Sequence, residues 1–178
     1  MFSTILRRTA AVAVLATIGA TSLAVTPVAL AAQAGGIAVG AVAPANFALP
    51  ALDGTTVDFA KLIGKQPVVM EFWATWCPLC RKLEPAFKAA KEKYGAQIAF
   101  VNIGVPENQS MERQKAYVTE RALTGMYVFD ADSRVIKTYQ VPHTSYVVVV
   151  DKAGKVVYTG VGGDQDIDAA VRKALGTQ

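Results

Sequence analysis

The chain carries two cysteines in 178 residues, and they stand two residues apart in Glu71-Phe72-Trp73-Ala74-Thr75-Trp76-Cys77-Pro78-Leu79-Cys80. A Cys-x-x-Cys pair can exchange disulfides, hold a metal or tie a small loop. A purely structural bridge over so short a loop restrains an unfolded chain little. A zinc site would need two further Cys or His ligands, and the chain offers one histidine, His143. Redox chemistry is therefore the strongest reading of the pair, with the metal and structural readings still open. The flanking pattern supports it. Pro67-Val68-Val69-Met70 reads as a buried strand, and beyond Cys77 the apolar residues Leu83, Phe87 and Ala90 recur at helical spacing. Cys77 then falls at a strand-to-helix junction, where unpaired backbone N–H groups and the helix dipole favour a thiolate and lower its pKa below the free value of ~8.5. Cys80, nearly one turn further in, is placed to close a disulfide with it.

The elements that must hold this pair are legible in outline. Residues 47–49 and 56–59 read as two strands around an Asp53-Gly54 turn, and 60–63 as one helical turn. The strand at 67–74 leads into a long helix over 77–94, stopped by Gly95 and kinked at Pro85, which lacks an N–H donor. A strand follows at 98–103, then a helix over 108–123 capped by Asn108 or Ser110. A strand at 126–129 and a short helix over 131–139 come next. Strands at 146–150 and 156–158 flank Asp151-Lys152-Ala153-Gly154 as an antiparallel hairpin, and a helix over 165–175 closes the chain. This alternation gives an α/β fold with a mixed central sheet flanked by helices.

With these residues in place, Phe72-Trp73-Ala74-Thr75-Trp76-Cys77-Pro78-Leu79-Cys80 resembles the active-site stretch of thioredoxin-fold proteins. The exported TlpA/ResA-like thiol–disulfide oxidoreductases are the most similar group. Their opening hairpin is similar to Pro44-Ala45-Asn46-Phe47-Ala48-Leu49-Pro50 with Asp53-Gly54, and the resemblance spans roughly residues 37–175. It implies a thioredoxin fold with an added N-terminal β-hairpin, and disulfide exchange with protein substrates outside the cytoplasm.

The resemblance also implies roles for residues around the pair. Glu71 stands where thioredoxins have a buried acid; among Val, Met and Phe its ionised form is costly, so its pKa should be raised. It could then take the proton of Cys80 as that thiol attacks a mixed disulfide. Glu84 lies one position beyond a glutamate of the ResA-like proteins, and by local spacing it pairs with Lys88. A cis-proline is implied opposite the dithiol, just before the strand leading to the final hairpin; Pro142 is its candidate, although the stretch to Gly154 is two or three residues too long. His143 beside it would face the cysteines, or stay solvated. Trp76 is expected at the rim of the site, and Pro78 to influence its potential. No metal and no cofactor are required. A reductase fed by a membrane electron donor, possible in cytochrome c maturation, is the favoured direction. An oxidase of secreted proteins, or a copper-delivery module using Cys77, Cys80 and His143, is the alternative.

Residues 1–31 read as a signal peptide, with Arg7-Arg8 ahead of an apolar, alanine-rich run and a small-x-small site at Ala29-Leu30-Ala31. An uncleaved anchor is the other reading, because 9–32 is long enough to span ~30 Å of hydrocarbon. Residues 32–178 then form one thioredoxin-like domain in the periplasm or another extracytoplasmic space. The net charge of +4 falls on loss of two arginines to 16 − 14 = +2, which leaves no basic footprint for nucleic acid. A monomer is expected.

Overall fold

Asp53 and Gly54 reverse the chain at its first hairpin. The Asp53 carboxylate accepts from Thr55 N (2.9 Å) and Thr55 Oγ1 (2.7 Å), while Gly54 takes φ +90°, where a side chain is strained. In this computed structural model, which describes residues 35–177, the turn joins β1 (Ala48–Pro50) to β2 (Thr56–Asp58) as a separate two-stranded sheet. A single 3-10 turn, Phe59–Lys61, follows. Phe59 is fully buried and packs on Phe47 with ring centroids 4.4 Å apart. The hairpin covers one edge of the main sheet through an Ala51–Val128 bridge and a bond from Leu52 N to Tyr127 O (2.9 Å). The leader expected at 1–31 lies outside the described residues.

The main sheet is built on β3 (Val68–Trp73), in which all six residues are buried. Next to it run β4 (Ala99–Gly104), parallel, and β6 (Tyr146–Val150), antiparallel. Outside these lie β5 (Met126–Phe129) and β7 (Val156–Val161), giving the order β5-β4-β3-β6-β7. Alternation along β3 divides its side chains between two cores. Val68, Met70 and Phe72 join Phe59, Tyr139 and Tyr146 on one face. Val69 joins Leu83, Phe87, Phe100, Val149 and Val171 on the other. That second face is covered by α1 (Pro78–Tyr94) and α4 (Ile167–Leu175). The two helices are tied at one end by Asp168, which accepts from Lys93 Nζ (2.8 Å), Tyr94 Oη (2.8 Å) and Arg172 Nε (2.9 Å). The mixed sheet and the added hairpin match the fold read from the sequence.

Element bounds differ where tertiary or capping geometry overrides local pattern. The helix α2 spans Met111–Glu120, shorter than 108–123: Ser110 is its cap, and Asn108 (φ 55°) and Ala122 (φ 49°) are left-handed. The short α3, Arg134–Thr138, starts late because buried Asp130 supplies its cap, accepting from Val135 N (3.0 Å) and Ile136 N (2.9 Å). The strand β7 runs on to Val161 because Gly160 and Val161 pair with Val147 and Tyr146. Pro85 is absorbed within α1, which continues through it to Tyr94.

The expected cis-proline is corrected. No peptide bond among the described residues is cis, so Val141–Pro142 is trans. The residue directly before β6 is not Pro142 but Ser145, which is fully buried with φ 62°. Its N–H donates to Phe72 O at 2.8 Å, a bond no proline could make. The surplus length seen between Pro142 and Gly154 is taken up by this rebuilt loop. Ser145→Pro should therefore destabilise the fold by roughly 2–4 kcal/mol, because it deletes that donor and cannot adopt the φ; an unchanged urea midpoint would refute this. Gly104, at the end of β4, admits the buried Gln114 amide where a methyl would overlap it. Gly104→Ala should cost roughly 1–3 kcal/mol by overpacking, read from the same denaturation curves.

Candidate active site

Cys77 is the N-cap of α1, in extended conformation at φ −81°, ψ 110°, with Pro78 at the first helical position. A helix start leaves its first N–H groups without partners. Here the Cys80 N–H donates to Cys77 Sγ at 3.0 Å, so sulfur takes the place usually held by a Ser or Asp oxygen. Cys77 and Cys80 form a disulfide across Cα atoms 5.3 Å apart. Both cysteines are nearly covered, at 2% and 3% exposure. A thiolate at Cys77 would gain that N–H and the positive end of the helix dipole.

The surface around the sulfurs is apolar. Trp76 and Leu79, which bracket Cys77, are exposed, as is Val161 at the end of β7. Leu79 opens onto a groove of about 570 Å³ that continues along Tyr158, Val161, Gly162 and Gly163. Gly163 approaches the first turn of α1 so closely that a Cβ would lie 3.0 Å from Leu79 O and 2.7 Å from Lys82 Cβ. Trp76 is held at the rim by a bond from its Nε1 to Glu107 O (2.8 Å). Gln109 fastens the same segment by accepting from Thr75 N (3.0 Å) and donating to Val105 O. Arg81 donates to Thr75 O (3.2 Å) rather than to a sulfur.

Glu71 lies in the middle of β3, on the parity of Val69 and so beneath α1, the helix whose buried side begins with Cys80. Its Oε1 is buried with no partner. Burial, and to a lesser degree the charge of Glu84, pushes its carboxyl up to about 8. Glu84 does not pair with Lys88 as local spacing suggested. It reaches α2 instead, accepting from Tyr117 Oη (2.8 Å) and Arg121 Nη2 (2.7 Å). Burial and this bond push the Tyr117 phenol up to about 12, so it stays a donor. Glu71 and Glu84 both line a second cavity of about 270 Å³ beneath α1.

The other expected residues are placed as follows. Pro78 is the first residue of the helix beside its cap Cys77, and Pro142 is half-buried three residues ahead of Ser145. His143 is exposed. Among the described residues no three His, Cys, Asp or Glu side chains gather as a metal site, so His143 does not complete a copper site with the cysteines. Sequence reasoning missed Ser145, Gln109, Tyr117 and Arg121. Gln109 stands directly before the cap Ser110, which is the one local signal that could have drawn attention to it.

The Redoxin family profile matches residues 38–175. The thiol-disulfide oxidoreductase ResA of Geobacillus thermodenitrificans is 32% identical over 136 residues, covering 74% of this chain and 75% of the relative. ResA of Bacillus subtilis is 31% identical over 130 residues, covering 71% and 69%. A putative thiol:disulfide interchange protein DsbE from Chlorobium tepidum superposes with TM-score 0.69 at 25% identity, over 79% of this chain and 97% of that one. A putative protein disulfide isomerase from Bacteroides thetaiotaomicron shares the fold at TM-score 0.68 and 24% identity, over 80% and 91%. With a helix-capped Cys-x-x-Cys pair at the centre of the matched region, the chain belongs to the Redoxin family, as a ResA-like thiol–disulfide oxidoreductase of the thioredoxin superfamily.

Proposed function

We propose that the protein is an exported reductase of protein disulfides, with Cys77 as nucleophile, Cys80 as resolving thiol and Glu71 as the group that takes the Cys80 proton. In the reduced protein the Cys77 thiolate attacks one sulfur of a substrate disulfide, and the other sulfur leaves as a thiolate. Cys80 then attacks Cys77 Sγ in the mixed disulfide while its proton passes to Glu71. The second substrate thiolate is released, and Cys77–Cys80 carries the two-electron oxidation. Trp76, Pro78, Leu79 and the loop 141–145 with Pro142 and His143 form the face that meets the substrate chain. The leader at 1–31 would export the domain 32–178 to an extracytoplasmic space. There a membrane donor must re-reduce it, since an oxidising compartment does not. Exported thiol proteins, including those of cytochrome c maturation, are the proposed substrates of a monomeric protein that needs no cofactor.

The observation that carries the direction is the poverty of support for a thiolate. Among the described residues the sole hydrogen bond to either sulfur comes from Cys80 N–H. Arg81 is turned to Thr75 O rather than to a sulfur. A strong oxidant needs the reverse, a stabilised reduced form. Equilibration in thiol–disulfide buffers should give a potential near ~−270 mV; a value near ~−120 mV would overturn the reductase assignment in favour of an oxidase.

Glu71 makes a second expectation. Its folded pKa of about 8 lies above the ordinary carboxylate value of 4.5. The folded state therefore holds the proton more tightly than the unfolded one, and stability falls as pH rises from about 4.5 to about 8. Glu71→Gln should remove that slope and leave the variant more stable than wild type at high pH by on the order of 3 kcal/mol. Parallel urea curves of the oxidised proteins at pH 5, 7 and 9 test it, and parallel pH slopes in the two proteins would show that Glu71 is not buried as described.

A further inference from the structure

Glu71 reaches its pH equilibrium by exchanging its proton with solvent, yet it is enclosed by β3, its neighbouring strands and α1. Among the described residues a cavity leads from it. The cavity of about 270 Å³ begins at Glu71, passes Asn102 of β4 and Tyr127 of β5, and emerges between α1 and the chain that follows α2. It is on the β4–β5 side of the carboxyl, and neither cysteine lines it. At ~30 Å³ per molecule it has room for several waters, and Glu71, Asn102, Thr124 and Tyr127 in its otherwise largely apolar lining offer them polar partners. The charged and titratable groups around it are Glu84, Lys88, Lys91 and Glu92 from α1, Arg121 after α2, and Tyr127 from β5; Tyr117 of α2 stands behind Glu84. Lys91 is turned to Thr124 O. Of the two further carboxylates lining this opening, Glu84 and Glu92, Glu84 has a side chain only 22% exposed and both its oxygens fixed by Tyr117 and Arg121.

We propose that this cavity is the route by which Glu71 exchanges its proton with solvent, and that Glu84, clamped by Tyr117 and Arg121, is the residue that positions the route and sets the charge seen by Glu71. The inference rests on the acid–base role of Glu71 proposed above. In one turnover Cys80–SH gives its proton to the Glu71 carboxylate and its sulfur bonds to Cys77, releasing the substrate thiolate. The Glu71 carboxyl then delivers the proton through the cavity to a solvent base; the two electrons have gone to the substrate, and the membrane donor proposed above restores the dithiol.

The test is the rate at which Cys80 resolves a mixed disulfide between Cys77 and a small aromatic thiol, followed by release of the chromophore from pH 5 to 9. Glu71→Gln is the control: it should slow resolution ~100-fold and lose the limb that rises with pH. Leu123→Trp, which fills the cavity, should slow resolution ~10-fold with an unchanged equilibrium potential. Glu84→Gln keeps the shape but removes the negative charge, so Glu71 ionises more readily and the midpoint of the rising limb should move to lower pH. Glu84→Asp should restore the wild-type midpoint at least in part, which mere loss of packing would not predict. A slowed Glu71→Gln beside wild-type rate and midpoint in Leu123→Trp and Glu84→Gln overturns the route and leaves the role of Glu71 standing. Wild-type kinetics in Glu71→Gln overturn both.

Discussion

The hydrogen bond from Cys80 N–H to Cys77 Sγ joins the strand half of this domain to its helix half. A cap of this kind is worth on the order of 1 kcal/mol, too little to place a helix. The placement comes from Leu83, Phe87, Ala90 and Tyr94, buried along one side of α1 against Val69, Phe100 and Val149. Each large apolar side chain there contributes roughly 1.5–3 kcal/mol. Packing therefore fixes where α1 begins, and the sulfur receives the N–H because the sequence starts the helix one residue after Cys77. Gly163 belongs to the same constraint. Its bare backbone lets the turn after β7 close on Leu79, bringing the wall of the groove up to the helix start.

Burial of Glu71 is the opposite kind of choice. β3 is covered on both faces and paired on both edges, a site where an apolar side chain would serve stability better. At neutral pH the carboxyl avoids the larger penalty by holding its proton, which is why the fold tolerates it. A buried ionisable group with one unpartnered oxygen and a cavity beside it is poorly explained by packing. The proton-accepting role proposed for Glu71 would account for it.

Much of this was legible because it is local. The cysteine spacing, Pro78 at a helix start, the apolar run of β3 and the Asp53-Gly54 turn each depend on residues within a few positions, and the structure has them where the pattern put them. What was not legible depends on distant chain. Glu84 read locally belongs with Lys88, an exposed i,i+4 pair worth ~0.3–0.5 kcal/mol. In the fold it finds a phenol and a guanidinium 33 and 37 residues away, and two charge-assisted bonds in a half-buried place outweigh one exposed pair. Pro142 failed for a related reason. A proline in roughly the right stretch looked sufficient, yet the residue before β6 is chosen by what Phe72 O needs, and that is an N–H.

The rim follows from the same long-range bonds. Trp76 is pinned to Glu107 O and Thr75 to Gln109, so the segment before Cys77 is tied to the loop after β4 rather than left to move with a substrate. Trp76 and Leu79 stay exposed on either side of the almost covered Cys77, and Val161 lines the groove that opens from Leu79. An isolated apolar side chain on a surface means little, but these three can strip water from an incoming chain as it docks. A thiolate there loses hydration and keeps a single N–H among the described residues. In the proposed reductase, electrons leave through Cys77 to the substrate and the proton that moves with them has Glu71 to go to.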